Sequence, residues 1–184
     1  MNAHAEKSSE VVPAVAPTPP ATPAVTPAAY NTLVASARLR DIKLVTSNFM
    51  LDPDGLSDQP SWKQLHTCEI EQSFYDETRK LLIAWVSADA SCTKDDKVVV
   101  SAHCRYVVIY SVEGSPEEVA VTAFAKRVAR FAVYPYFRAH FAGITSQAGL
   151  FLPPLPIIKE KKNIPPILPP AVENQIEHVS KESG

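Results

Sequence analysis

Val128-Ala129-Arg130-Phe131-Ala132-Val133-Tyr134-Pro135-Tyr136-Phe137-Arg138 is the stretch on which the fold turns. It reads as an apolar helix with a proline in its interior. Such a proline removes one helical hydrogen bond and crowds the preceding turn, at a cost of about 3 kcal/mol, and it bends the axis. Phe131, Tyr134, Tyr136 and Phe137 crowd its flanks. A helix lying alone on a small domain cannot hide that much ring surface. A core, another subunit or a bound polypeptide must cover it.

Working upstream, Ser115-Pro116-Glu117-Glu118 carries a helix-start signal. Ser115 is expected as N-cap, Pro116 at the first helical position, and Glu118 as the partner that completes a capping box. The helix should run to about Ser146, bent at Pro135. Phe124, Val128 and Phe131 form one apolar stripe before the bend; Phe137, Phe141 and Ile144 form a second, offset one after it. A helix that is apolar on two sides has two partners.

Further upstream lie four strand patterns, over residues 39–51, 65–75, 80–92 and 97–112. In the second, Ile70, Gln72 and Phe74 alternate with Glu69, Glu71 and Ser73. In the fourth, Val98, Val100, Ala102, Cys104, Tyr106, Val108 and Tyr110 share a face that a helix should cover. Thr93-Lys94-Asp95-Asp96 is a hairpin turn. The fold class is therefore α+β: a four-stranded antiparallel sheet followed by a long kinked helix. Downstream, Gly149 opens Leu150-Phe151-Leu152-Pro153-Pro154-Leu155-Pro156-Ile157-Ile158. This segment is apolar, extended and poor in backbone donors. It is expected as an ordered strap over a hydrophobic groove; the other reading of its prolines is a ligand for a proline-binding module.

Composition narrows the function. The 184 residues are 46% hydrophobic with a net charge of -2, which gives no electrostatic footprint for nucleic acid. The 17 prolines crowd both ends. The expected organisation is a Pro/Ala-rich disordered arm over 1–34, a folded domain over 35–158 and a mobile tail over 159–184. Glu6, Glu10 and the early prolines argue against a signal peptide. No apolar run approaches the roughly 18 residues of a membrane span, so no membrane insertion is expected. Cys68, Cys92 and Cys104 read as reduced thiols of a cytoplasmic protein. The five glycines make no phosphate cradle, and no cofactor is expected. His66, Cys68 and His103 are weighed as metal ligands and set aside in favour of half-buried strand side chains. No catalytic constellation emerges, and the chain reads as a non-enzyme.

These residues resemble the SecB family of export chaperones, and the SecB-like branch more closely. The resemblance rests on four antiparallel strands before a helix, the Arg130–Arg138 run with its embedded Tyr-Pro-Tyr, the Leu152–Leu155 strap and the strand start Arg40-Asp41-Ile42. It implies an ATP-independent holdase, assembled as a homotetramer (a dimer of dimers), for unfolded or presecretory polypeptides. It implies SecA or an antitoxin as partner. It places Phe74, Trp85, Phe137, Phe141, Phe151, Leu152 and Leu155 in a client-binding groove, and Phe131, Tyr134, Tyr136 and Arg138 at a subunit interface. Two features depart from the family pattern. Pro165, Pro166, Pro169 and Pro170 prevent a second long helix before Ala171, and no acid for docking SecA lies between Asp41 and Asp52, with Glu69 and Glu71 as substitutes. The functions in view are a general export holdase, a chaperone dedicated to one partner such as an antitoxin, and a carrier of a small apolar ligand.

Overall fold

The computed structural model describes residues 25–55 and 62–159. Strands β1 (Arg38–Leu51), β2 (Lys63–Asp76), β3 (Leu81–Lys94) and β4 (Lys97–Ser111) form one antiparallel sheet of order β1-β4-β3-β2. A helical layer then crosses one face. It comprises α2 (Glu118–Phe124), a π-helical turn (Ala125–Ala129) and α3 (Arg130–Gln147). The four-stranded antiparallel sheet and the long helix with Pro135 inside it agree with the sequence pattern.

The core sits between this layer and the inner face of β3 and β4. Every second residue of β3 from Leu82 to Cys92 is buried, and likewise in β4 from Val100 to Tyr110. Ala84, Ala88 and Ala90 on β3 leave room for Val121, Phe124, Val133 and Phe137 from the helices. Tyr110 meets Phe124 edge-on, with centroids 5.0 Å apart. Each fully buried aromatic side chain contributes about 1.5–3 kcal/mol, so Phe124 and Phe137 make this seam a substantial source of stability. The β3–β4 hairpin closes on Asp95 and Asp96, both at positive φ (47° and 62°), as a two-residue turn of the right twist requires.

Four expectations need correction. The arm expected over 1–34 ends in a helix, α1 (Pro27–Ser36), so the boundary at 34/35 falls inside an element. Thr26 caps it by accepting from the Ala29 amide, Pro27 opens it, and Leu33 is buried. The rest of the arm, and the tail beyond Lys159, lie outside the described residues. Second, Ser115 is not an N-cap. Its hydroxyl donates to Glu77 at 2.9 Å, which ties it to the β2–β3 reversal, and the helix begins at Glu118 after Glu117.

Third, two strands change face. The pairing of β2 with β3 slips between Ile70 and Gln72, leaving Glu71 as a bulge. Beyond it the alternation inverts, so Phe74 lies opposite Ile83 on the outer face while Ile70 packs against the core. A similar slip at the start of β4 buries Val99 and leaves Val98 exposed. Fourth, the π turn holds an extra residue and rotates the helix face. The buried line after it runs Ala129, Val133, Phe137, Phe141. Val128 and Phe131 fall to its side, half-buried, rather than continuing a stripe from Phe124.

Candidate functional site

The segment after α3 is built first by its helix end. Gly149, at φ 76°, donates its amide to the Ser146 carbonyl, and Leu150 donates to that of Thr145. This double closure needs a left-handed residue, which glycine supplies without strain. It turns the chain back and buries Leu150. Residues 151–159 then run as a strap whose burial repeats every three residues. Leu152 and Ile158 are half-buried and Leu155 is fully buried, while 151, 153, 154, 156, 157 and 159 are exposed. A period of three is that of the polyproline II helix, which has no internal hydrogen bonds and leaves its carbonyls to be satisfied from outside.

The protein satisfies them at the same period. Gln64 of β2 donates its side-chain amide to the Pro153 carbonyl at 3.0 Å. Tyr134 of α3 donates its hydroxyl to the Pro156 carbonyl in a short hydrogen bond. Arg130 donates from Nη2 to the Lys159 carbonyl at 3.4 Å. The strap thus has three edges: one apolar and buried, one whose carbonyls meet Gln64, Tyr134 and Arg130, and one exposed. On the exposed edge Phe151 is 87% and Ile157 75% accessible.

The expected site residues separate accordingly. Phe137, Phe141 and Leu155 belong to the closed core, so they do not form an open groove within the protomer. Phe151 and Leu152 lie on the strap at its surface. Phe74 and Trp85 lie on the opposite side of the sheet, because the Glu71 bulge turns Phe74 outward and Trp85 sits among the outward residues of β3. There Arg105 stacks over Trp85 at 4.9 Å and holds Glu71 through two nitrogens, at 2.6–3.1 Å. Among the expected interface residues, Tyr134 is consumed within the chain: it is buried, hydrogen-bonded to the strap and near His66 (5.7 Å between centroids). Burial also raises its phenol above the ordinary range. Tyr136 is 55% exposed. Phe131 and Arg138 are half-buried, and the Arg130 guanidinium covers the Phe131 ring at 4.8 Å.

Around Tyr136 the outward face of α3 is made of Pro135, Ala139, Ala142 and Gly143, all exposed. Small residues there permit close approach of another helix. The metal set weighed from the sequence does not converge: His66 and Cys68 point to the helical side, His103 to the outer face, where its Nδ1 lies 2.7 Å from Asp89. Among the described residues no cluster of three metal-ligating side chains occurs. Burial pushes the Cys68 thiol up to about 12, and Cys92 and Cys104 are raised for the same reason. These are inert core thiols. No helix among the described residues is long and apolar enough to cross a membrane.

Sequence reasoning passed over Gln64, Arg130 and Ile157 as site residues. The signal was present in the strap, where Leu152, Leu155 and Ile158 recur at intervals of three.

No family description matches the sequence, and no curated protein sequence is significantly similar to it. The architecture does have a solved counterpart. A SecB-like chaperone from Mycobacterium tuberculosis, in complex with a peptide from an antitoxin, matches with a TM-score of 0.61 over 73% of this chain and 99% of that one, at 22% sequence identity.

Proposed function

We propose that this chain, SecB-like in fold, is a polypeptide-binding chaperone that works without ATP and serves one dedicated partner segment, such as an antitoxin. The observation that carries this reading is the likeness to a SecB-like chaperone solved with an antitoxin peptide. The strap supports it. The seam between β2 and α3 already holds one extended apolar segment by its side chains and by every third carbonyl, a mode that suits extended polypeptide in general. The exposed Phe151 and the half-buried Leu152 are the residues we assign to partner contact. No step of this function needs a catalytic group or a cofactor.

The assembly belongs to the same proposal. Among the described residues strand β1 is an edge, paired with β4 alone. Its inner face carries Leu39, Leu44 and Phe49, which are 36–48% exposed. With Tyr136, Phe131 and Arg138 on α3, it supports a homotetramer built as a dimer of dimers, in the cytoplasm. Light scattering tests this: a mass near four times 20.1 kDa is expected, and a clean monomer overturns the interface. For the partner, affinity capture with the tagged full chain should recover one protein in stoichiometric amount. Recovery of many unrelated polypeptides, with suppression of aggregation of a denatured protein, would favour the second reading, a general holdase for export. The bare apolar edge of the strap favours that reading. Delivery to SecA has weaker support, because Glu71 is engaged by Arg105.

A further inference from the structure

The outer face of the sheet plays no part in the strap or the helical seam. Across it, Phe74, Ile83 and Ile109 stand side by side on β2, β3 and β4; Asp41, paired with Lys43 at 3.1 Å, ends the row on β1, and Trp85 and Val107 lie in the adjoining row. Phe74 is 45% exposed and the other four apolar side chains are half-buried. One two-residue step along the strands, about 7 Å, the next row holds Asp76, Leu81, Ser111 and Arg38. There a concavity of about 470 Å³ opens, lined by Arg38, Arg40, Arg79 and Lys80, with Glu113 as the single carboxylate of its lining.

These cations are poorly neutralised. The Arg38 guanidinium donates to the carbonyls of Ala35 (2.7 Å) and Ala37 (3.0 Å), which fix its position but do not cancel its charge. Arg40 sits at a register slip between Leu39 and Asp41, a bulge that re-aims a side chain, and it makes no ion pair among the described residues. Arg79 and Lys80 approach Asp76 and Glu77 at 3.8 and 3.9 Å, and the Lys80 ammonium also donates to the Gly114 carbonyl at 3.5 Å; both cations are largely exposed, so these pairs hold weakly. With Glu113 as the carboxylate of the lining, the hollow keeps an excess of positive charge that an entering anion would offset.

We propose that this end of the outer face is a docking site for an acidic polypeptide segment. Its Asp and Glu carboxylates enter the hollow between Arg38, Arg40, Arg79 and Lys80, and an apolar side chain of the same segment lies on Phe74, Ile83 and Ile109. The adjoining apolar row selects a polypeptide over a simple anion, which would leave that row unused. A net charge of -2 and a basic region confined to one end give no track for a nucleic-acid backbone.

The test uses the full chain carrying Trp62→Phe, so that Trp85 reports on this face. Its emission is followed while a short peptide of Glu and Leu is added, beside a Lys-and-Leu counterpart. Saturable binding of the acidic peptide is expected, with none of the basic one, and with affinity that falls as salt rises from about 0.05 to 0.5 M. Arg40→Glu with Arg79→Glu should weaken it about tenfold or more. Arg40→Gln with Arg79→Gln, which places no new charge, should weaken it less, and provides the measurement if the reversal disturbs folding. Phe74→Ser should also weaken it, and Phe151→Ser on the strap should not. Equal affinity in the Arg40/Arg79 variants, loss through Phe151→Ser, or displacement of the peptide by inorganic phosphate or DNA at equal charge would each overturn the proposal.

Discussion

Strands β1 and β3 have the same length, 14 residues, and belong to one sheet, yet they lead opposite lives. In β3 every second residue is sealed under the helices. In β1 the inward Ile42 and Leu51 touch the core only half-buried, and others stay open, with Leu44 42% and Phe49 36% accessible. Both carry an apolar alternation. The difference is reach: the helical layer packs over β2, β3 and β4, and its described link to β1 is the 2.8 Å hydrogen bond between Ser47 and His140. A strand's pattern states which face wants covering; it does not say what covers it. On β3 the cover comes from the same chain. On β1 it has to come from elsewhere, or the sheet presents a sticky edge.

The largest expected effect lies on the β3 side. Phe137→Ala removes a fully buried ring between α3 and the sheet and should cost about 3–5 kcal/mol in urea unfolding; a loss as small as that of a surface substitution would mean that α3 is not seated there. Alkaline pH should act on the same side. Burial raises Cys68 from 9.0 to about 12 and Tyr110 from 10.0 to about 12. The unfolded chain releases these protons first, so stability is unaffected below about pH 9 and falls as pH rises from there toward 12. Thermal melts across that range check it, and a flat profile would contradict the burial. Smaller is Tyr134→Phe, which removes the hydroxyl bound to the Pro156 carbonyl. It should cost about 1 kcal/mol and make the strap more sensitive to limited proteolysis, while the core melts almost as before. On β1, Leu44→Asp should change protomer stability least, within about 0.5 kcal/mol, yet lower the mass seen by light scattering. A full core-like penalty there would erase the contrast between the strands.

Much of the fold is legible in the sequence because it follows local periodicity. Val100 to Tyr110 alternates strictly, and burial follows it residue by residue. The proline-bearing helix is legible because Pro135 interrupts an otherwise continuous apolar run, and tertiary packing offsets its local cost. The capping box that the sequence predicts at Ser115 does not form. Its hydroxyl had a second partner in Glu77, 38 residues away, which no local motif reveals. Phe74 was misplaced for a related reason. A bulge at Glu71 belongs to the pairing of two strands, not to either sequence alone. The residues expected in a client groove divide between two faces: Phe74 and Trp85 lie on the outer side of the sheet, and Phe137, Phe141, Phe151, Leu152 and Leu155 on the helix and strap side, a separation that only the pairing of strands decides.

By itself, the sequence determined the order of elements, the antiparallel sheet, the kinked apolar helix and the presence of an ordered strap. Each depends on spacing within a few residues, which side-chain volume and backbone geometry dictate directly. The tertiary structure alone decided which aromatic rings are closed off and which remain available. Tyr134 and Phe137 lie three residues apart with Tyr136 between them, yet the first two are sealed and Tyr136 is exposed. That outcome depends on the phase of one helix, reset by a π turn, and on where a threefold strap finds donors for its carbonyls. Both are long-range matches between surfaces, and only the folded chain brings those surfaces together.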